Sequence, residues 1–326
     1  MRQFLTTVCV GLAAASFAMP AFAEWPDKPI KITIPWKAGA GAVDQMTRQL
    51  QKTVAEGSIV DQPITIFNVG GPIPIGLRQA KGQDPDGHNF VVMHTAMMTL
   101  QAAGKIDFGY KDFEPVARLG QFCQTTSVHK NTGIETLDAL LDRAAAEPNT
   151  LVHGANLGAI NHVYGIMVED LRDGAKFRFV QTGGDAGTFP EFKGGRVQVA
   201  GFSAAGATNF ALGADGKPDP DSPVRLLAYA GPERHVNFPN VPTFKELGYD
   251  FQFCVDGWYF APKGTPAEAV AGFAAMVEAA LADEGMQAFL AKKSMVGAFQ
   301  SGGDLLDEMD RQWEAIAPVA ARAAKK

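Results

Sequence analysis

The chain repeatedly runs from a short β-branched segment, through a loop of small residues, into an amphipathic stretch, and that order restricts it to an α/β architecture. Residues 30–35 (IKITIP) alternate with the period of a strand, residues 37–42 form a loop of mostly small side chains, and residues 43–55 have helical spacing. The same order recurs at Ile64–Asn68, Gly70-Gly71-Pro72 and residues 75–82, and again at Asn89–His94, Thr95-Ala96 and residues 97–103. A mostly parallel sheet covered by helices on both faces is predicted. Residues 125–129, 151–154, 177–181, 197–201 and 225–230 read as further strands, and residues 136–146, 159–171 and 187–193 as helices, which implies a second α/β unit. Residues 213–223 (GADGKPDPDSP) are a turn-rich surface loop, the most disorder-prone stretch after residue 24. Near the end, Thr265 as cap, Pro266 at the first helical position and Glu268 at the third predict a helix to about residue 282. Helices over residues 284–292 and 303–323 then follow the last strand without interruption, returning to the first unit.

The first residues carry an export signal. Arg2 precedes an apolar, small-residue run from Phe4 to Met19, and Ala21-Phe22-Ala23 is a cleavage pattern before Glu24. The apolar run is shorter than the roughly 20 residues of a membrane span, so residues 1–23 are read as a removed signal peptide and the periplasm as the destination. Cys9 lies inside the apolar run, not after a cleavage site, which argues against a lipid anchor. Net charge is −6, and −7 once Arg2 leaves with the signal, because residues 1–23 contain no acid. With no basic block, a nucleic-acid partner is disfavoured. An anionic ligand must then be held by local groups. Cys123 and Cys254 alone remain after cleavage, too few for a cysteine-built scaffold or metal site. An oxidising compartment permits them to pair, and two buried free thiols are the alternative.

Several loops consist of Gly, Ala, Asn and Thr immediately before a helix: Ala38-Gly39-Ala40-Gly41-Ala42, Thr95-Ala96, Asn156-Leu157-Gly158-Ala159 and Thr182-Gly183-Gly184-Asp185. Such loops let backbone N–H groups and helix N-termini approach a ligand oxygen unobstructed. Together they predict an anion cradle in a cleft at the carboxyl ends of the strands. Trp36 and Lys37 enter the first of these loops, where Lys37 supplies a counter-charge or is simply solvent-exposed. No catalytic residue is assigned. Gly201-Phe202-Ser203-Ala204-Ala205 departs from a nucleophile elbow at its fifth residue, and Gly39-Ala40-Gly41 lacks the third Gly of a dinucleotide fingerprint. The six histidines show no metal-ligand spacing, so no metal and no cofactor is expected. His153 and His162 flank one small-residue loop and are read as packing or capping groups, and His94 is the histidine expected to face a cleft.

From Trp25 to the last helix, the chain resembles the substrate-binding proteins of tripartite tricarboxylate transporters, the Bug family. The resemblance is carried by Trp25-Pro26-Asp27-Lys28-Pro29-Ile30, Pro85-Asp86-Gly87, Asp112-Phe113-Glu114-Pro115-Val116-Ala117 and Gly194-Gly195-Arg196-Val197. Pro239 with Val241-Pro242-Thr243-Phe244-Lys245-Glu246-Leu247-Gly248, and Ala261-Pro262-Lys263-Gly264-Thr265-Pro266, complete it in order. It implies a type II periplasmic-binding-protein-like α/β fold: two α/β lobes with a two-strand hinge, residues 24–124 plus 255–326 as one lobe and residues 125–254 as the other. It also implies a carboxylate held by backbone N–H groups and ordered water of the loops at Trp36, Lys37, Ala38, Gly39, Ala40 and Gly41, at Asn156, Gly158 and Ala159, and at Thr182, Gly183 and Asp185; Thr95 and Ala96 join this candidate set from the loop pattern alone. Asp44 matches the family's helix-start Asp, a cap or a brace for the loop. By the same resemblance Cys123 and Cys254 fall at the two lobe crossings, where a bond restrains the hinge.

The departures concern ligand chemistry. The family's Pro-Gly-Gly loop is Lys37-Ala38-Gly39-Ala40-Gly41 here, its Gly-Ser is Gly158-Ala159, and its aromatic-Lys-Gly is Thr182-Gly183-Gly184. A lysine is lost from one wall and gained on another. The resemblance implies a monomeric carrier that delivers a mono-, di- or tricarboxylate to membrane transporter subunits. A periplasmic sensor read by a membrane histidine kinase would use the same closure, and neighbouring genes separate the two. A secreted hydrolase or dehydrogenase needs a nucleophile or cofactor motif that the sequence lacks.

Overall fold

The computed structural model describes residues 25–38, 42–213 and 215–324. The signal-peptide reading (residues 1–23) and the loop residues Gly39, Ala40 and Gly41 lie outside the described residues. Strands β1 (Ile30–Ile34), β2 (Ile64–Asn68) and β3 (Asn89–His94) pair in parallel in the order β2-β1-β3. They lead into helices α1 (Ala42–Glu56), α2 (Ile73–Lys81) and α3 (Ala96–Ala102). Ile30, Ile32 and Ile34 on one face of β1 and Thr33 on the other are all buried, as a sheet covered on both sides requires.

The second lobe is built on the same pattern. Strands β5 (Val152–Ala155), β6 (Arg178–Gln181) and β7 (Val199–Ser203) lie in the order β6-β5-β7, with β5 parallel to both neighbours. Helices α4 (Leu137–Ala146), α5 (Ile160–Glu169), α6 (Asp185–Lys193) and α7 (Ala204–Ala211) belong to this lobe, with β8 (Val224–Tyr229).

One strand, β4 (Phe113–His129), runs through both lobes. Its first part pairs antiparallel with β9 (Cys254–Pro262) and β10 (Val296–Ser301), and its last part, Gln124–His129, with β7 and β8. The chain thus crosses between sheets at Cys123/Gln124 and returns at Phe253/Cys254, where Gln124 N–H donates to Phe253 O at 3.2 Å. Cys123 and Cys254 stand opposite each other in the ladder and are joined by a disulfide. β9 is buried along its whole length, and Trp258, Tyr259 and Phe260 form the centre of the first lobe's core. Helices α8 (Ala267–Leu281), α9 (Glu284–Lys292) and α10 (Gly302–Ala323) complete that lobe, and α10 also packs on α5 of the other.

Four readings are corrected. β4 begins at Phe113, not at residue 125, because Pro115, Gly120 and the polar Arg118 and Gln121 interrupt the alternation; register shifts at Pro115/Ala117 and Arg118/Gly120 absorb them. α7 was not legible, since AAGATNFA lacks an amphipathic pattern. The C-terminal helices are not continuous: β10, a partly exposed strand pairing only with β4, separates α9 from α10. Thr265 does not cap α8; its hydroxyl donates to Pro262 O at 2.8 Å, Pro266 takes the N-cap position and the helix starts at Ala267.

Candidate ligand-binding cleft

Between the lobes lies a cavity of about 1070 Å³. The first lobe contributes Ala42 and Gln45 of α1, Ile73, His94, and Ala96, Thr99 and Leu100 of α3. The second contributes the loop from Asn156 to Asn161, Gly184 and Asp185, and Ser203, Ala205 and Asn209. Phe122, Gln124 and Val255 of the hinge strands form its floor, and Lys105, Lys293, Met295 and the end of α10 complete the wall. A βα unit places the loop after each strand at the same edge of its sheet, which is why distant loops converge here.

Of the residues that the sequence singled out, Ala96, Asn156, Gly158, Ala159 and Asp185 line this cavity, and Trp36, Lys37, Ala38, Asp44, Thr95, Thr182 and Gly183 do not. Lys37 and Ala38 are exposed to solvent. Trp36 is buried against the His94 ring, centroids 5.3 Å apart. Thr95 is fully buried and its hydroxyl oxygen accepts the Asp256 N–H at 3.2 Å, tying β3 to the hinge strand β9. Thr182 shares a 2.7 Å hydrogen bond with Thr188 of α6.

Asp44 braces the first loop. It sits in the first turn of α1, wholly buried, and accepts from Arg48 Nε at 2.9 Å and from Asn68 Nδ2 at 2.8 Å. Asn68 Nδ2 also reaches Trp36 O at 3.1 Å, and Arg48 Nη2 donates to Asn68 Oδ1 at 2.6 Å. The end of β2 is thereby fastened to the exit of β1.

The loop before α5 is held by the side chains of Asn161, His162 and Gln181, which take up its backbone N–H groups, so those of Asn156 and Gly158 are not left for a ligand, contrary to the expectation from sequence. Gly158 adopts φ +81°, a left-handed conformation that favours glycine, and its N–H donates to His162 Nδ1 at 3.0 Å. The N–H of Asn156 donates to Asn161 Oδ1 at 3.1 Å and that of Leu157 to Gln181 Oε1 at 2.8 Å. His153 and His162 serve packing, both against the Phe179 ring, and burial pushes His153 down to about 3. His94 accepts the Ala96 N–H at 3.1 Å on Nδ1, and burial pushes it down to about 4, so it reaches the cleft as a neutral group near pH 7.

Sequence reasoning missed Gln124, Ser203, Asn209 and Lys293. Ser203 ends β7, caps α7 by accepting Gly206 N–H at 3.1 Å, and donates its hydroxyl to Asp185 Oδ2 at 2.5 Å. Gly206 is required there, because a Cβ at that position would collide with the Asp185 carboxyl. The near-miss nucleophile elbow is therefore a capped helix start. Gln124 and Lys293 lie far from any loop pattern and were not legible for that reason. Among the described residues no group of His, Cys, Asp and Glu is placed to hold a metal ion, and no helix is long and apolar enough to cross a membrane.

Two lobes on a two-strand hinge, with a cleft lined by strand-end loops, define the class of binding protein that closes on a solute. The profile of the family described as "Tripartite tricarboxylate transporter family receptor" matches residues 45–316, and the chain belongs to that family of solute-binding proteins. Protein BugT of Bordetella pertussis is 26% identical over 329 residues, covering 97% of each chain. A protein encoded in the gbd 5′ region of Cupriavidus necator is 27% identical over 280 residues, 82% of this chain and 81% of its own. Among solved structures, a TctC solute-binding protein from Polaromonas superposes with a TM-score of 0.79 at 24% identity, over 91% of this chain and 99% of its own. MatC from Rhodopseudomonas palustris, solved with bound malate, superposes at 0.69 with 21% identity, over 91% of this chain and all of its own. An R. palustris protein solved with adipate superposes at 0.70 with 20% identity, over 91% and 98%.

Proposed function

We propose that this chain is a periplasmic carrier that captures a small organic carboxylate between its lobes and presents it to the membrane subunits of a tripartite tricarboxylate-type transporter, without chemistry of its own. One observation carries the carboxylate reading: the N-termini of α1, α5 and α6 open on the cavity, through Ala42, Ile160 and Asp185. The first N–H groups of a helix have no partner within it and carry its positive dipole end, so converging helix starts favour an anion. Lys105 and Lys293 also line the cavity and form no ion pair among the described residues. Membership of a transporter receptor family supports the partner reading, as do the adipate and malate held by the two R. palustris proteins for the ligand class.

In this reading residues 24–124 plus 255–326 move as one body and residues 125–254 as the other, the hinge being β4 and the approach to β9. Ligand that touches both bodies favours the closed form, which docks as a monomer on the membrane subunits. Thermal unfolding of the protein from Glu24 onward, after removal of prebound ligand by partial unfolding, tests the proposal with mono-, di-, tri- and aromatic carboxylates against sugars and neutral amides. A rise in midpoint confined to carboxylates is expected; a response only to uncharged solutes refutes it. Transporter membrane-subunit genes beside this one are expected, and a histidine-kinase gene in their place favours a sensor.

A further inference from the structure

The second lobe has another concavity, at the opposite end of its strands from the cleft. Where β4 ends and β5, β6 and β7 begin, a pocket of about 410 Å³ is lined by Arg143 of α4, Arg178 at the start of β6 and Arg196 shortly before β7. Asn131, Thr150 and Gln198 are among the polar side chains beside them. The cleft loops leave the other ends of the same strands. The four residues of β5, Val152–Ala155, separate this pocket from Asn156 in the cleft, roughly 13 Å of extended chain. The two sites have no lining residue in common.

Charge sets this pocket apart. The chain has 35 acidic and 29 Lys and Arg residues, yet the lining holds three arginines and no Asp or Glu. Arg143 and Arg196 each meet one glutamate outside the lining, Glu147 at 3.7 Å and Glu191 at 2.5 Å, with the two arginine side chains 46% and 72% exposed. Ion pairs so open to water are weak and yield to a better-placed anion. The Arg178 guanidinium and the Asn131 side-chain amide have no partner among the described residues, so their donors are unspent. Gln198 is spent: its Oε1 accepts Val152 N–H at 3.1 Å and its Nε2 donates to Gly195 O at 2.7 Å, which fastens the start of β5 to the approach to β7 and fixes the pocket's shape. Like charges around one concavity repel, and an anion placed among them converts the repulsion into attraction. Guanidinium forks match the paired oxygens of an oxyanion, and the volume lies within the range of small-molecule sites.

We propose that this pocket is a second anion site, remote from the cleft, which takes a small, multiply charged oxyanion of the phosphate type on Arg178, with Arg143 and Arg196 turning from their glutamates to join it. The proposal does not depend on the carboxylate reading. All the lining residues belong to the second lobe, so the ion contacts open and closed forms alike and does not by itself drive closure.

The test is calorimetric titration of the ligand-stripped protein with pyrophosphate and with inorganic phosphate in dilute buffer, where screening is least, and hydrogen exchange locates the bound ion. Pyrophosphate is expected to bind roughly tenfold tighter than phosphate and to protect the backbone around Asn131, Thr150 and Gln198. Arg178→Gln is expected to weaken pyrophosphate roughly tenfold and Arg196→Gln about threefold. The second variant also serves as the test should the first not fold. In both variants the thermal response to carboxylates is expected to match that of the parent protein. No binding at millimolar pyrophosphate, affinity unmoved by both variants, or protection confined to the cleft loops around Gly158 and Gly183 overturns the proposal and leaves the carrier reading standing. A protein that binds pyrophosphate through Arg178 but answers no carboxylate refutes the carrier reading and supports this site.

Discussion

The lobes are joined in two places of opposite character, the hinge and the rim. At the hinge, β4 and β9 are buried and cross-linked by Cys123–Cys254, and Asp256 is held by Arg118 Nη1 at 3.3 Å and by Gln312. At the rim, Arg322 of α10 pairs with Asp170 just beyond α5, both in contact with solvent. On the other flank Ser294 Oγ accepts from Asn237 Nδ2 at 2.9 Å and shares a 3.0 Å bond with Thr208. Covalent and buried strand contacts persist through a motion, whereas an ion pair in contact with solvent, such as Arg322–Asp170, is readily exchanged for water, and the buried Ser294 contact is a single neutral hydrogen-bond cluster. In the closure proposed above, flexure falls at the hinge and opening at the rim.

That contrast is broken most severely at the disulfide. Cys123→Ser with Cys254→Ser, or reduction, is expected to lower unfolding free energy by roughly 3–5 kcal/mol, because the bond closes a loop across the whole second lobe; denaturant titration measures it. Denatured, unreduced protein is expected to show no free thiol from this pair, and two would contradict the bond. Next, Arg118→Ala leaves Asp256 buried beside no cation and is expected to cost roughly 2–4 kcal/mol, with Asp256→Asn in the same background recovering part of the loss.

The third expectation is a pH dependence. Burial outweighs Arg118 and pushes Asp256 up to about 6. Because folding raises the pKa of this acid, the native state holds the proton more tightly than the unfolded chain, and the stability it contributes is lost as pH rises from about 4 to about 6. Above that window the contribution is flat. Asp256→Asn is expected to flatten that segment of the curve of unfolding midpoint against pH, and an unchanged slope refutes the assignment. The rim is expected to be the weakest. Ser294→Ala costs about 1 kcal/mol and Arg322→Ala less than about 1 kcal/mol. The double variant is nevertheless expected to increase the radius of gyration of the ligand-free protein in small-angle scattering, with ligand reversing the increase.

Legibility followed locality. The strands at Ile64–Asn68 and Asn89–His94 and the helix Glu284–Lys292 stand where the sequence put them, because each is a short pattern with clear punctuation at both ends. The first twelve residues of β4 were lost, since a strand that bends through bulges and carries Arg118 and Gln121 toward partners on other elements has no alternating pattern to read. The cleft divided in the same way. Ala96, Asn156, Gly158, Ala159 and Asp185 follow a strand and precede or open a helix, a placement visible in one dimension. Gln124 is one polar residue in the middle of a strand, and Lys293 one lysine at the end of a helix. Their place on the cavity depends on the packing of segments more than a hundred residues apart.

By itself the sequence determined the α/β class, the repeated strand-loop-helix order, the family and the presence of small-residue loops before helices, because periodicity, turn chemistry and motif order are local properties. Tertiary structure alone decided that Asp44 braces the first loop, that Thr95 and Asp256 belong to the hinge, and that Gln124, Ser203 and Asp185 share one wall. Those assignments are set by which side chains exclude water from one another across strand pairings, and a linear spacing carries no record of that.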